Sequence, residues 1–149
     1  MEHMARETYR YTGFGFAVIV QHAPMIKMRG QWVLDLNLNE LQERVFRELA
    51  VKPARLTGNE IRFIRHYTRM PIDKFGARFG VTHPAVVKWE KAGDAPTEMR
   101  WGTEKDIRLF VLSHAKASPR DFMDAYRQLS VVPTGRIRLH RIDAAARAG

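Results

Sequence analysis

Two glycines four residues apart, Gly76 and Gly80, constrain the middle of this 149-residue chain more than any other feature of its sequence. They stand in the run FGARFGVTHPAVVKWEK (75–91), and a phenylalanine directly precedes each of them. The spacing predicts two short helices that cross closely around a sharp turn. Gly76 supplies the small residue where the second helix crosses the first. Gly80 reaches the left-handed backbone region of the turn without a Cβ penalty.

The residues that follow the turn predict the start and the buried face of the second helix. Thr82 is suited to cap that helix, and Pro84 fits its first turn. Val86 and Trp89 stand three residues apart and therefore face back together towards the first helix. The pattern thus predicts a closed apolar core between two crossed helices, as in a helix-turn-helix.

The side chains left outside this core predict a DNA-binding surface. His83, Val87 and Lys88 project where a helix in the major groove presents its base-reading residues. Lysine donates to guanine O6 and N7, histidine donates to a base acceptor or a phosphate, and valine meets a thymine methyl. Phosphate contacts are expected from the amide groups at the start of the second helix and from four side chains, Lys74, Arg78, Thr82 and Lys91. A plain helical hairpin with an ordinary core is the alternative interpretation.

The charge distribution favours a polyanionic partner. The formal net charge is +9 and the pI is near 10.4. Residues 57–91 contain seven basic residues (Lys or Arg) and three acidic residues (Asp or Glu). Residues 130–149 contain four basic residues and one acidic residue. The basic excess is therefore largest around the predicted pair of helices and in the tail, as expected for a nucleic-acid-binding protein.

The N-terminal third predicts a small antiparallel sheet with one helix, which makes the fold class α+β. Val, Ile and aromatic residues indicate strands at 14–22 and 31–38, with a short third strand between them. A helix over 39–50 is expected to start at a capping pair, Asn39 and Gln42. The sequence VKPAR (51–55) breaks that helix. We therefore predict a β-plus-helix domain over 1–55, which offers a dimer or partner surface.

An all-α domain is predicted over 56–129. Thr57 and Glu60 have capping-box spacing at the start of its first helix. Thr103 and Ser118 are expected to cap two further helices, 103–115 and 118–129. The second of these carries apolar residues on one side, namely Phe122, Met123, Tyr126 and Leu129. The basic tail, 130–149, is expected to form an edge strand or a flexible arm.

The run FGARFGVTHPAVVKWEKAG resembles the XRE, or lambda-repressor-like, helix-turn-helix family, apart from one extra residue before Gly93. The resemblance covers about residues 57–115. The combination with LTGNEIRF and a preceding segment that begins YRYTGFG is similar to the MqsA-like regulators and antitoxins. MqsA-like N-terminal domains hold zinc through cysteines, and this chain has none. The resemblance implies a homodimer, a toxin as a candidate partner, and base-reading positions at His83, Pro84 and Lys88, although Pro84 has no donor to offer. Glu90 is expected to brace the fold.

The sequence predicts a DNA-binding transcriptional regulator, a repressor by the resemblance and a candidate antitoxin. No catalytic motif is present, so we expect no enzyme activity, no cofactor and no metal. No apolar run approaches a membrane span and the start lacks a secretory signal, so a cytoplasmic protein is expected. The alternative is a protein-binding module with minor DNA contact, in which Trp32, Trp101 and the basic tail would matter more.

Overall fold

The computed structural model describes residues 2–145 and divides the chain into two compact units. Of the described residues, the first unit comprises 2–45 together with 138–145, and the second comprises 46–137. The first unit contains a four-stranded sheet and the second contains five helices. The fold class is therefore α+β, as the sequence predicts.

The sheet is built around one long central strand. Strand β1 (His3–Tyr11) pairs antiparallel with β2 (Val18–Met28), and β2 pairs antiparallel with β3 (Gln31–Leu34). The tight turn between β2 and β3 has positive φ at both Arg29 (50°) and Gly30 (78°), the backbone geometry of a two-residue hairpin turn. Strand β4 (His140–Asp143) lies parallel to β2. The basic tail thus contributes a strand, which is one of the two alternatives predicted for it, an edge strand or a flexible arm.

The predicted strands are wrong in two respects. The segment expected to hold a separate short strand continues β2 without a break. Strand β1, over His3–Tyr11, was not predicted at all. Its residues 3–8 are all exposed, so β1 lacks the alternation of buried and polar residues by which a strand is recognised in a sequence.

Helix α1 (Leu38–Ala50) follows the sheet and buries one apolar face, which comprises Leu41, Val45, Phe46 and Leu49. The expected capping pair is wrong. The side chain of Asn37 accepts hydrogen bonds from the amides of Asn39 (3.0 Å) and Glu40 (3.3 Å). The N-cap of the helix is therefore Asn37, two residues before the predicted Asn39.

Five helices form the second unit: α2 (Gly58–Tyr67), α3 (Ile72–Arg78), α4 (His83–Lys91), α5 (Trp101–His114) and α6 (Pro119–Gln128). The predicted capping box at α2 is confirmed, because the Thr57 hydroxyl accepts from the amide of Glu60 and the Glu60 carboxylate accepts from the amide of Thr57. Ser118 caps α6 as predicted.

The predicted start of α5 is wrong, and the apolar side of α6 is only partly buried. Helix α5 begins at Trp101 and has no side-chain cap, so Thr103 lies inside it. The guanidinium carbons of Arg55 and Arg108 lie 5.4 Å and 5.5 Å from the centroid of the Trp101 ring, so the first residue of the helix packs against two arginines. On α6, Ala125 and Leu129 are buried. Met123 and Tyr126, which the sequence places on the same side as Leu129, are 43% and 54% exposed.

The two compact units differ from the predicted domains because residues 51–55 belong to the second unit. Arg108, fully buried on α5, donates to the carbonyls of Lys52 and Ala54 (2.6 Å each) and to the carboxylate of Glu104 (2.9 Å). The tail is held in the same place, since the amide of Gly135 donates to the carbonyl of Pro53 (2.9 Å). The division of the chain consequently falls within α1 rather than at VKPAR.

Candidate nucleic-acid interface

Helices α3 and α4 approach each other through Gly76. A β-carbon on Gly76 would lie 2.8 Å from the carbonyl oxygen of Val81, closer than side chains come to backbone. The turn between the helices places Gly80 at a φ of +70°, in the left-handed region that glycine adopts without strain. Both glycines therefore have the steric roles that the sequence predicts for them.

The buried face of this helix pair is apolar and close-packed. Phe75, Val86 and Trp89 are buried. The rings of Phe75 and Phe79 meet edge to face with centroids 4.8 Å apart, a favourable arrangement for two aromatic side chains. The predicted core positions of α3 and α4 are thus confirmed.

The first turn of α4 is also formed as predicted. Thr82 has an extended backbone, and its hydroxyl accepts a hydrogen bond from the amide of Ala85 (3.3 Å). Pro84 occupies the first turn, where its missing amide hydrogen leaves no helical bond unmade. The Thr82 hydroxyl keeps its own hydrogen, which remains able to donate to a phosphate oxygen.

The far end of α4 lies against the start of α2. A β-carbon on Gly58 would come within 3.0 Å of three backbone atoms, the carbonyl oxygens of Trp89 and Glu90 and the amide nitrogen of Gly93. The amide group of Asn59 also donates to the carboxylate of Asp94 (2.9 Å). These contacts fix the C-terminal end of α4, so the orientation of its exposed face is set from both ends.

Glu90 holds α4 to α2 through two arginines. Nε of Arg65 donates to Oε2 of Glu90 (2.8 Å), Nη2 of Arg65 donates to Oε1 (2.9 Å), and Nε of Arg62 donates to Oε1 (3.1 Å). Burial alone raises the pKa of the Glu90 carboxyl. The hydrogen bonds from Arg65 and Arg62 outweigh that effect and hold the pKa below its ordinary value. Glu90 therefore has a structural role, as the sequence suggests.

The predicted base-reading residues lie together on the opposite face of α4. His83, Pro84 and Lys88 are exposed, and Val87 is half-buried. Val86, Trp89 and Glu90 occupy the buried face of the same helix. The arrangement leaves two apolar and two basic side chains on an accessible helix surface.

The predicted phosphate-binding side chains fall into two groups. Lys74, Thr82 and Lys91 are exposed. Arg78 is engaged with α5, because its guanidinium carbon lies over the rings of Phe79 (4.9 Å) and Phe110 (5.5 Å). Nη1 of Arg78 is also 3.4 Å from Oδ2 of Asp106. Its side chain remains 44% exposed. Arg78 would therefore contact a phosphate only through the guanidinium nitrogens that do not face Asp106.

One contact at this surface was not predicted from the sequence. Nδ1 of His83 lies 2.5 Å from Oδ1 of Asp73, which stands in the first turn of α3. The two residues are ten positions apart, and only the crossing of α3 and α4 brings them together. The face that carries the predicted cations therefore also carries a carboxylate.

Within residues 2–145, no group of three or more His, Asp or Glu side chains is arranged to hold a metal ion. None of the helices in this range combines the length and the apolar character that a membrane span requires. Comparison with known proteins finds no matching family model, no similar curated protein and no similar solved structure.

Proposed function

We propose that the protein is a sequence-specific DNA-binding transcriptional regulator that inserts α4 into the major groove. One observation carries the proposal. A helix fixed at both ends turns His83, Val87 and Lys88 outward while Val86 and Trp89 are buried. In this proposal α3, the turn and α4 act as a helix-turn-helix. The resemblance of the sequence to lambda-repressor-like regulators supports the same DNA-binding role. A regulator of this kind, a repressor or the antitoxin of a toxin operon, acts in the cytoplasm.

The supporting electrostatics come from charges that the fold leaves available. Lys74, Lys88 and Lys91 are exposed, and no ion pair to any of them is found in the described part of the chain. The first turn of α4 adds backbone amide groups and the positive end of a helix dipole. Neutralisation of several phosphates makes affinity fall steeply with salt.

The proposal is tested by duplex binding at several salt concentrations with paired charge variants. Lys88→Ala should relax the base preference, because a lysine in the groove discriminates by about 1–3 kcal/mol. Lys74→Ala should weaken all duplexes alike and lower the salt slope by about one. Arg120→Ala, which removes one exposed cation from α6, is the matched control and should change neither property. A preferred site that Lys88→Ala leaves unchanged would count against the reading role of α4.

A second candidate function, a protein-binding module, is favoured by apolar side chains away from α4. Met123 and Tyr126 on α6 are about half exposed, and Val131 beyond the helix is 71% exposed. Such a surface suits a protein partner, either the second copy of a homodimer or a toxin. Mass in solution, measured for the wild type and Tyr126→Asp, tests the homodimer. A wild-type protein that stays monomeric at all concentrations would contradict it.

A further inference from the structure

The ion pair at the start of α4 has no evident role in holding the fold. The side chains of His83 and Asp73 are 53% and 82% exposed. A pair this exposed adds little to stability, since water screens it and two side chains must be ordered to form it. Its consequence lies in the imidazole ring that it holds at the proposed reading surface.

The contact with Asp73 determines which nitrogen of His83 carries the proton. An ionised carboxylate only accepts hydrogen bonds, so the bond requires a hydrogen on Nδ1. In the neutral ring, Nε2 then holds a lone pair and acts as an acceptor. A neutral histidine without such a partner mostly carries its hydrogen on Nε2 and would present a donor there. Asp73 therefore changes Nε2 of His83 from a hydrogen-bond donor to an acceptor.

We propose that Asp73 is a positioning residue that makes Nε2 of His83 a hydrogen-bond acceptor, so that His83 selects adenine or cytosine at its step of the DNA site. Adenine N6 and cytosine N4 are the amino donors in the major groove, whereas guanine offers only the acceptors O6 and N7 there. This deepens the proposed function and rests on it. It differs from the sequence-based expectation that His83 donates to a base or a phosphate.

The tautomer can be measured on the free protein, without DNA. Side-chain ¹⁵N NMR at about pH 8.5, above the range in which histidines generally titrate, distinguishes a protonated from an unprotonated ring nitrogen. The wild type should show hydrogen on Nδ1 of His83. Asp73→Ala should move it towards Nε2, and Asp124→Ala, which removes the same charge from an exposed position on α6, should leave it on Nδ1. An unprotonated Nδ1 in the wild type would overturn the proposal.

Selection from a randomised duplex library at the same pH tests the consequence for DNA. The wild type should prefer adenine or cytosine at one position, and His83→Ala should lose that preference. Asp73→Ala should weaken it by about three- to tenfold, the worth of one hydrogen bond, while Asp124→Ala should leave it unchanged. An unchanged base preference in Asp73→Ala would overturn this inference and leave the proposed function standing. Failure of the wild type to bind any duplex would overturn the proposed function, and the tautomer measurement would still report on the pair.

Discussion

Replacement of Gly76 by alanine tests the close approach of α3 and α4, because the approach leaves no room for a β-carbon. That atom would lie 2.8 Å from the carbonyl oxygen of Val81 and 3.5 Å from the carbonyl carbon of Thr82. Both belong to backbone at the corner between the helices, so α4 would have to shift away from α3. Overpacking of this kind costs about 1–3 kcal/mol. Alanine also has a higher helix propensity than glycine, which offsets up to about 1 kcal/mol of that cost.

Gly102 provides the matched control for this prediction. It also lies in a helix, α5, and a β-carbon there would meet nothing within 4 Å. Gly102→Ala should therefore keep the gain in propensity without the clash. In urea unfolding followed by circular dichroism, Gly76→Ala should be less stable than Gly102→Ala by about 1–3 kcal/mol, the steric cost alone. Equal stability of the two variants would refute the close approach.

The remaining predictions concern the contacts that hold α4 and α2. Glu90→Gln should cost about 2 kcal/mol at pH 7, because a buried charged acceptor of arginine hydrogen bonds is lost. The folded-state pKa of Glu90 is depressed, so its contribution is present above the ordinary value of 4.5 and is lost as the pH falls through the folded-state pKa. Unfolding measured across this range should show the wild type approaching Glu90→Gln in acid, whereas a constant difference would contradict the assignment. Thr57→Ala should cost about 1 kcal/mol in the same assay through loss of the capping box, and an unchanged midpoint would argue against that cap. Gly58→Ala, which brings a β-carbon within 3.0 Å of three backbone atoms, should be among the least stable variants by thermal unfolding, and wild-type stability would contradict the fixed end of α4.

The sequence predicts those parts of the second unit that local chemistry determines. Thr57 and Thr82 cap helices because their hydroxyls reach amides three residues ahead. Gly76 and Gly80 are recognisable because few other residues fit a close helix crossing or a positive φ. Such signals lie within a few residues of the feature they specify, so they can be recognised without the rest of the chain.

Features that depend on distant partners could not be predicted in this way. Strand β1 exists through its pairing with β2, while its own residues 3–8 are exposed. The inclusion of residues 51–55 in the second unit depends on Arg108, more than fifty residues later. The contact between Asp73 and His83 depends on how two helices cross. In each case the residues offer no local pattern, because their partner is supplied by the tertiary fold.

The most direct test of the central claim is an NMR titration of ¹⁵N-labelled protein with a duplex obtained by selection. The account predicts that amide signals of His83–Lys91 and of the turn before them change most, while those of α6 change little. Changes confined to the sheet or to the basic residues 136–141, with α4 unaffected, would contradict the claim that the exposed face of α4 enters the major groove.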